Sequence, residues 1–385
     1  MSEGLFGKIF GKGKNKESGS VGGEVVEAVA ARAVGELGKA MTLKFKDVRA
    51  LSETEDKNKI SIEDNMLYNL INQCTDGELD KKIQGTKKAV GEISTLTIPK
   101  DTLLKFREVM KDQDLTKALQ MSGSVAQIAS LGVLIVAVGM LKKTNDQLGD
   151  VSNSVSRIAD YQETEYDATA GRVLTQIKRI TKFQSESLRD RDVRNNELRT
   201  LRDQEDKCID LLLQANSMIK KDMAKEQKSF KNYVDNTADI EKWCQYQQLL
   251  IRLLKQISEL TYSFNLGAVS RENSYQNYEE NLRPIVKVRK ELRDWHLKNM
   301  GYYSVDLKEK KYRRAGSVFD AAKRIPLGAL ANKISENTIS DDMIGFIENQ
   351  TQENNQDPKA ASVNQFEEDV KIVVEDGKLY YVSKI

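Results

Sequence analysis

A chain of 385 residues with 4 Pro, 6% aromatic and 31% charged residues suits long solvated helices better than a compact enzyme with deep pockets. Its 60 Lys and Arg stand against 58 Asp and Glu, a net charge of +2, so bulk charge does not mark the whole chain as a polyanion binder. Cys74, Cys208 and Cys244 lie far apart, without CxxC spacing or a neighbouring histidine, which excludes a disulfide framework and points to reduced, structural thiols.

In chain order, the first expected element is a flexible basic leader over 1–23. Leu5, Phe6, Ile9 and Phe10 fall on one face of a short helix, with Lys8 and Lys12 beside it. Such a segment suits a lipid interface, each lysine attracted to anionic headgroups by about 1 kcal/mol. The apolar stretch is too short for a secretory signal. Export by a signal peptide is therefore not expected, and the chain is placed at a membrane with most of its length on the cytoplasmic side.

The next stretch, 24–121, reads as mainly helical, with a weak strand signal at Leu43 and Phe45. Ser61 is the expected cap of a helix that ends near Asp76-Gly77. A second helix is expected over Glu78 to Ile93, and Pro99 opens a third. No proline occurs between Pro99 and Pro284, which permits several long helices, since an interior proline costs about 3 kcal/mol.

Residues 122–141 form an uncharged run of 20, of which 13 are apolar. As a helix this spans about 30 Å, the thickness of a bilayer core. Val125, Ile128, Leu131, Val133, Leu134, Ile135, Val136, Val138 and Leu141 are the candidate membrane-insertion residues. Gly123, Gly132, Gly139, three serines and Gln127 dilute the insertion energy. Three placements compete: a permanent span held by Lys142-Lys143, a buried core helix, and an element that inserts conditionally.

Residues 142–267 carry the most regular helical pattern: Leu148, Val151, Val155 and Ile158, then Val173, Ile177 and Ile180, then a seam from Leu198 to Ile219. A last helix is led in by Asn236 and Thr237 and closed by Gly267. The heptads are interrupted too often for a continuous rod, so an antiparallel bundle with coiled-coil-like seams is expected. In architecture alone, an apolar segment set among long helices resembles the α-helical pore-forming toxins. No residue motif carries that likeness.

The basic region 268–334 reads as helices on either side of Pro284. From Arg283 to Arg324 there are 13 Lys and Arg against 5 acidic residues, whereas Glu336 to Asp376 holds 11 acidic residues against Lys359 and Lys371. Lys308, Lys310, Lys311, Arg313 and Arg314 are the candidate anionic-partner surface, with the acidic tail as an internal neutraliser. Residues 335–368 read as an acidic disordered linker. Residues 369–385 read as a β-hairpin turning at Asp376-Gly377, which needs a surface to dock on.

No reaction is legible. The only histidine, His296, lies in a charged helix where a surface position is expected, and no Cys/His cluster suggests zinc. The P-loop near-misses fail. Gly38-Lys39 has Ala33 where the first glycine belongs, and Gly85 and Gly91 are one residue too far apart. Trp295, Tyr302, Tyr303 and Tyr312 within the basic block are potential base-stacking groups. The expected fold is mainly α: an elongated bundle of long antiparallel helices with coiled-coil-like seams, one apolar helix that is a transmembrane candidate, and a small C-terminal β-hairpin. The expected function is a non-catalytic, membrane-associated helical scaffold or interaction protein. A conditional membrane-inserting effector is the alternative, and a soluble nucleic-acid-associated coiled-coil protein the third reading. Membrane lipid and a second helical chain, like or unlike, are the expected partners. No cofactor, metal or small-molecule substrate is implied.

Overall fold

The computed structural model describes residues 39–89, 91–104, 115–120, 123–159, 165–308, 310–312, 337–338, 340–351 and 364–383. The architecture is mainly α, with long antiparallel helices packed together, one apolar buried helix and a small antiparallel sheet. Strand β1 is Lys46–Val48, β2 Lys59–Ser61 and β3 Ile93–Ile98. Around them lie helices α1 (Glu53–Lys57), α2 (Asn65–Cys74), α3 (Glu78–Lys88) and the short α4 (Leu115–Leu119). The region expected to be mainly helical therefore supplies three strands.

The weak strand signal near Phe45 marks the start of β1. Ser61 belongs to β2. The cap of α2 is Asp64, whose Oδ1 accepts from the amides of Met66 at 2.8 Å and Leu67 at 3.1 Å. The turn after α2 puts Asp76 at φ 51° and Gly77 at φ 79°, and the glycine makes the second of these unstrained.

The bundle consists of α5 (Val125–Ala159), α6 (Glu165–Lys182), α7 (Gln184–Arg189), α8 (Arg191–Met223), α9 (Phe230–Phe264) and α10 (Arg271–Tyr303). Helix α5 joins the apolar run to the heptad-like stretch after it without a break. Asp190, Ser229 and Ser270 cap α8, α9 and α10 through their side chains, satisfying amides that no helical carbonyl reaches. Helix α9 begins a turn and a half before the expected Asn236. It ends at Phe264, with Gly267 in the left-handed region three residues on.

Pro284 lies inside α10 rather than between two helices. It is exposed, so water reaches the carbonyl that the missing N–H leaves unbonded, and the helix continues. Beyond it, Lys311–Tyr312 (β4) pairs with Asn337–Thr338 (β5). Helix α11, Asp341–Thr351, packs against α9 and α10. That helix, and a 3₁₀ turn at Gln365–Glu367, occupy part of the region expected to be an acidic linker. The apolar residues Met343, Ile344, Phe346 and Ile347 are why: they close the end of the bundle over Phe230, Tyr233, Ile240 and Leu292.

The expected hairpin is present as β6 (Val370–Glu375) and β7 (Lys378–Val382), but it does not stand alone. It forms the middle of a five-stranded antiparallel sheet of order β1-β3-β6-β7-β2. Asp376 and Gly377, at φ 48° and 70°, make the two-residue turn whose twist matches the strands. Leu96, Ile98, Ile372, Val374, Leu379 and Tyr381 face the main core. On the opposite face Ile93, Val373 and Val382 form a small apolar patch. That patch is edged by ion pairs from Lys371 to Glu55 at 2.7 Å and from Lys59 to Glu375.

Candidate functional site

The site the sequence singles out is the first half of α5, and its start is tied down by backbone. Val125 N donates to Lys39 O at 3.0 Å and Met41 N to Gly123 O at 2.9 Å, so residues 39–41 strap the helix entry. Gln127, the polar residue that dilutes the apolar run, accepts from Gly123 N at 2.8 Å and donates to Leu119 O at 3.1 Å. Ser130 Oγ donates to Ala126 O at 2.7 Å. Both polar side chains are buried and bonded within the protein, which removes most of the penalty for placing them there.

Among the candidate insertion residues, Val125 is partly buried and Ile128, Leu131, Val133, Leu134, Ile135, Val136, Val138 and Leu141 are buried. Val125–Gly149 is long and apolar enough to cross a membrane, and 89% of its most apolar window is buried inside the protein. One side packs along α9 and α6 and the other against α2, β2, β3, β6 and β7. The sheet side rests on the two glycines. A Cβ on Gly139 would lie 2.5 Å from Cδ1 of Tyr381, and one on Gly132 would lie 2.6 Å from Leu103 Cδ2 and 3.4 Å from Ile98 Cγ2. These residues, seven apart, are the bare backbone on which the sheet sits. At the end of the run, Lys142 Nζ donates to Ser61 O and to Glu63 Oε1, both at 3.1 Å, and this pairing keeps the Glu63 carboxyl below its usual range.

The other candidates fall differently. Leu5, Phe6, Lys8, Ile9, Phe10 and Lys12, together with Arg313 and Arg314, lie outside the described residues. Lys308 and Lys310 are exposed, and Lys311 is in β4. Lys310 Nζ meets Asp341 Oδ1 at 2.5 Å, so basic block and acidic tail touch at this point. Of the aromatic residues in that block, Tyr303 is buried and Trp295 partly so, in an internal cluster with Phe230 and Tyr233. Tyr302 is exposed.

His296 is not at the surface. It is fully buried, with Nδ1 2.9 Å from the Tyr233 hydroxyl and its ring against Trp295 and Phe346. Burial lowers its pKa to about 4, because the charged imidazolium would lose its water. The signal was available. Ile285, Val288, Leu292 and His296 recur at 3-4-4 spacing, the buried seam of α10.

Sequence reasoning also missed a polar layer across three helices. Gln247 on α9 donates to Asn216 Oδ1 on α8 at 2.7 Å and accepts from Arg289 Nε on α10 at 3.3 Å. Buried polar contacts of this kind fix helix register. The three thiols are buried, and desolvation pushes Cys74 up to about 11 and Cys208 and Cys244 up to about 12. Among the described residues no three His, Cys, Asp or Glu side chains gather as a metal-ligand set. The chain matches no known protein-family model, no curated protein and no solved structure.

Proposed function

We propose that this protein is a non-catalytic helical interaction protein that joins membranes conditionally, with the first half of α5 as its insertion element. The observation that carries the reading is a helix of membrane-spanning length and apolarity whose most apolar window is 89% buried. A helix covered by the bundle on one side and a sheet on the other has no face left for acyl chains. That supports insertion on opening rather than a standing span. The bulk of the chain after Lys142-Lys143 stays on the cytoplasmic side in this reading, in keeping with the preference of lysines for that face.

The second reading, a permanent core helix of a soluble scaffold, is favoured by the fit of Gly132 and Gly139 to Leu103, Ile98 and Tyr381. The two are separated by floating the full chain with phosphatidylcholine–phosphatidylglycerol vesicles, followed by a carbonate wash. Conditional insertion gives a carbonate-resistant vesicle fraction that grows when the fold is loosened by mild urea. Protein that stays in the dense fraction at every urea concentration leaves only the soluble scaffold.

A further inference from the structure

We propose that the hairpin β6–β7 is an autoinhibitory clasp on α5, seated through Tyr381 on Gly139, whose departure from the sheet frees the apolar face for lipid. This rests on the membrane reading above and names its regulation. The topology makes the case first. Strand β3 pairs with β6 and β2 pairs with β7, and β2 and β3 do not pair with each other. Without the hairpin the sheet is reduced to a short β1–β3 pair and a lone three-residue β2, neither of which holds together by itself.

Second, the hairpin supplies part of the cover on the sheet side of α5, beside α2, α4, β2 and β3. Ile372, Val374, Leu379 and Tyr381 belong to the same core cluster as Leu131, Val133, Val136 and Leu141. The Tyr381 ring lies against the bare Cα of Gly139, where any side chain on the helix would collide with it. On the bundle side the cover comes instead from α6 and α9, which pack on each other and on α8, while α10 packs on α9 and α8.

Third, polar ties at the rim join the hairpin to the segments around it. Lys371 pairs with Glu55 and Glu375 with Lys59. Lys100 N donates to Asp369 Oδ1 at 2.8 Å and Gly377 N to Thr86 Oγ1 at 3.0 Å. Residues 364–366 anchor it internally, with the Phe366 ring against Tyr262 and Asn364 Oδ1 accepting from the Tyr262 hydroxyl. The hairpin is thus a unit with its own turn and its own pairing, with one face on the main core and α5 and the other on the Ile93, Val373 and Val382 patch. Because both of its strands pair only within this sheet, the hairpin leaves as one piece while the helices of the bundle stay packed on each other.

The test locks the clasp in the full-length chain. Thr97 and Lys371 are cross-strand neighbours in β3 and β6, at a Cα separation of about 4.5–5.5 Å that a disulfide fits. Thr97→Cys with Lys371→Cys, oxidised, is expected to lose flotation with phosphatidylglycerol vesicles and to regain it on adding dithiothreitol. Tyr381→Ala, which removes the seat, is expected to float more than the parent protein. An oxidised double variant that floats as well as its reduced form overturns the clasp and leaves the membrane reading intact. If the parent, the reduced double variant and Tyr381→Ala all stay in the dense fraction, the membrane reading falls and the clasp with it.

Discussion

Two identical substitutions in one helix separate a packing role for the glycines from simple dilution of an apolar run. A Cβ at position 139 would lie 2.5 and 2.8 Å from Cδ1 and Cε1 of Tyr381, about 1 Å inside the favourable carbon–carbon distance. The ring cannot step back, because Tyr381 is 3% exposed and its backbone is held between Ile60 and Ile372. Overpacking of this kind costs about 1–3 kcal/mol, while replacing a helical glycine by alanine returns about 0.8–1.0 kcal/mol. The net expectation for Gly139→Ala is a loss of about 1 kcal/mol. At Gly132 the clash is with Leu103 Cδ2, the far end of a side chain, and the contacts to Ile98 are ordinary. Gly132→Ala should therefore fall within about 0.5 kcal/mol of the parent, close to the range of a neutral substitution. Urea midpoints from far-UV circular dichroism measure the difference. Adding Tyr381→Leu to Gly139→Ala should give a non-additive recovery of at least about 0.5 kcal/mol. Gly139→Ala as stable as Gly132→Ala would refute the claim that Tyr381 is seated on position 139.

Three further outcomes follow from buried groups. His296 has a folded pKa of about 4 against an ordinary 6.5, so the native state stays neutral where the unfolded chain takes up a proton. Its contribution is complete above pH about 6.5 and is lost as pH falls toward about 4, at up to about 1.4 kcal/mol per pH unit and about 3 kcal/mol in total. As the only histidine, it gives one imidazole resonance, expected not to titrate between pH about 7 and about 5 by NMR; a midpoint near 6.5 would contradict its burial. Gln247→Leu leaves Asn216 Oδ1 and Arg289 Nε without the contacts they make. It should cost about 1–3 kcal/mol, whereas Gln248→Leu on the exposed face of α9 should change the urea midpoint little. Cys74, Cys208 and Cys244, with thiols raised to about 11, 12 and 12, should resist a thiol reagent at neutral pH and all react in denaturant. Prompt labelling of any one of them in the native protein would count against the core described here.

The helices were legible because their signals are long. A seam such as Leu201, Cys208, Leu212, Ala215 and Ile219 repeats often enough to fix the buried face of α8. The sheet was not, because all five strands have only three to six residues and β1, β2 and β3 draw their partners from distant segments. Strand β3, Ile93–Ile98, pairs with β6 some 270 residues further along, and no local pattern carries that information. The Asp376-Gly377 turn was readable because its chemistry is local. At the candidate site the apolar residues were found, but Gly132, Gly139 and Gln127 counted only as dilution. In the fold each has a partner, which sequence periodicity does not reveal.

Gln127 is where the two environments of α5 can be set against each other. In the folded protein it closes the helix entry, bonded to Gly123 N and Leu119 O. In hydrocarbon, the same amide would be a group to desolvate. An element that moves between core and lipid must be nearly as well placed in one as in the other, since a few kcal/mol decides the population. Gln127→Leu acts on both sides with one sign. It removes two hydrogen bonds from the closed state, about 1–3 kcal/mol, and it raises the apolarity of the run. The closed fold should therefore weaken in urea while the vesicle-bound fraction rises. A permanent core helix predicts only the first of these changes. A variant that loses stability yet never leaves the dense fraction would assign the apolar run to the protein interior alone.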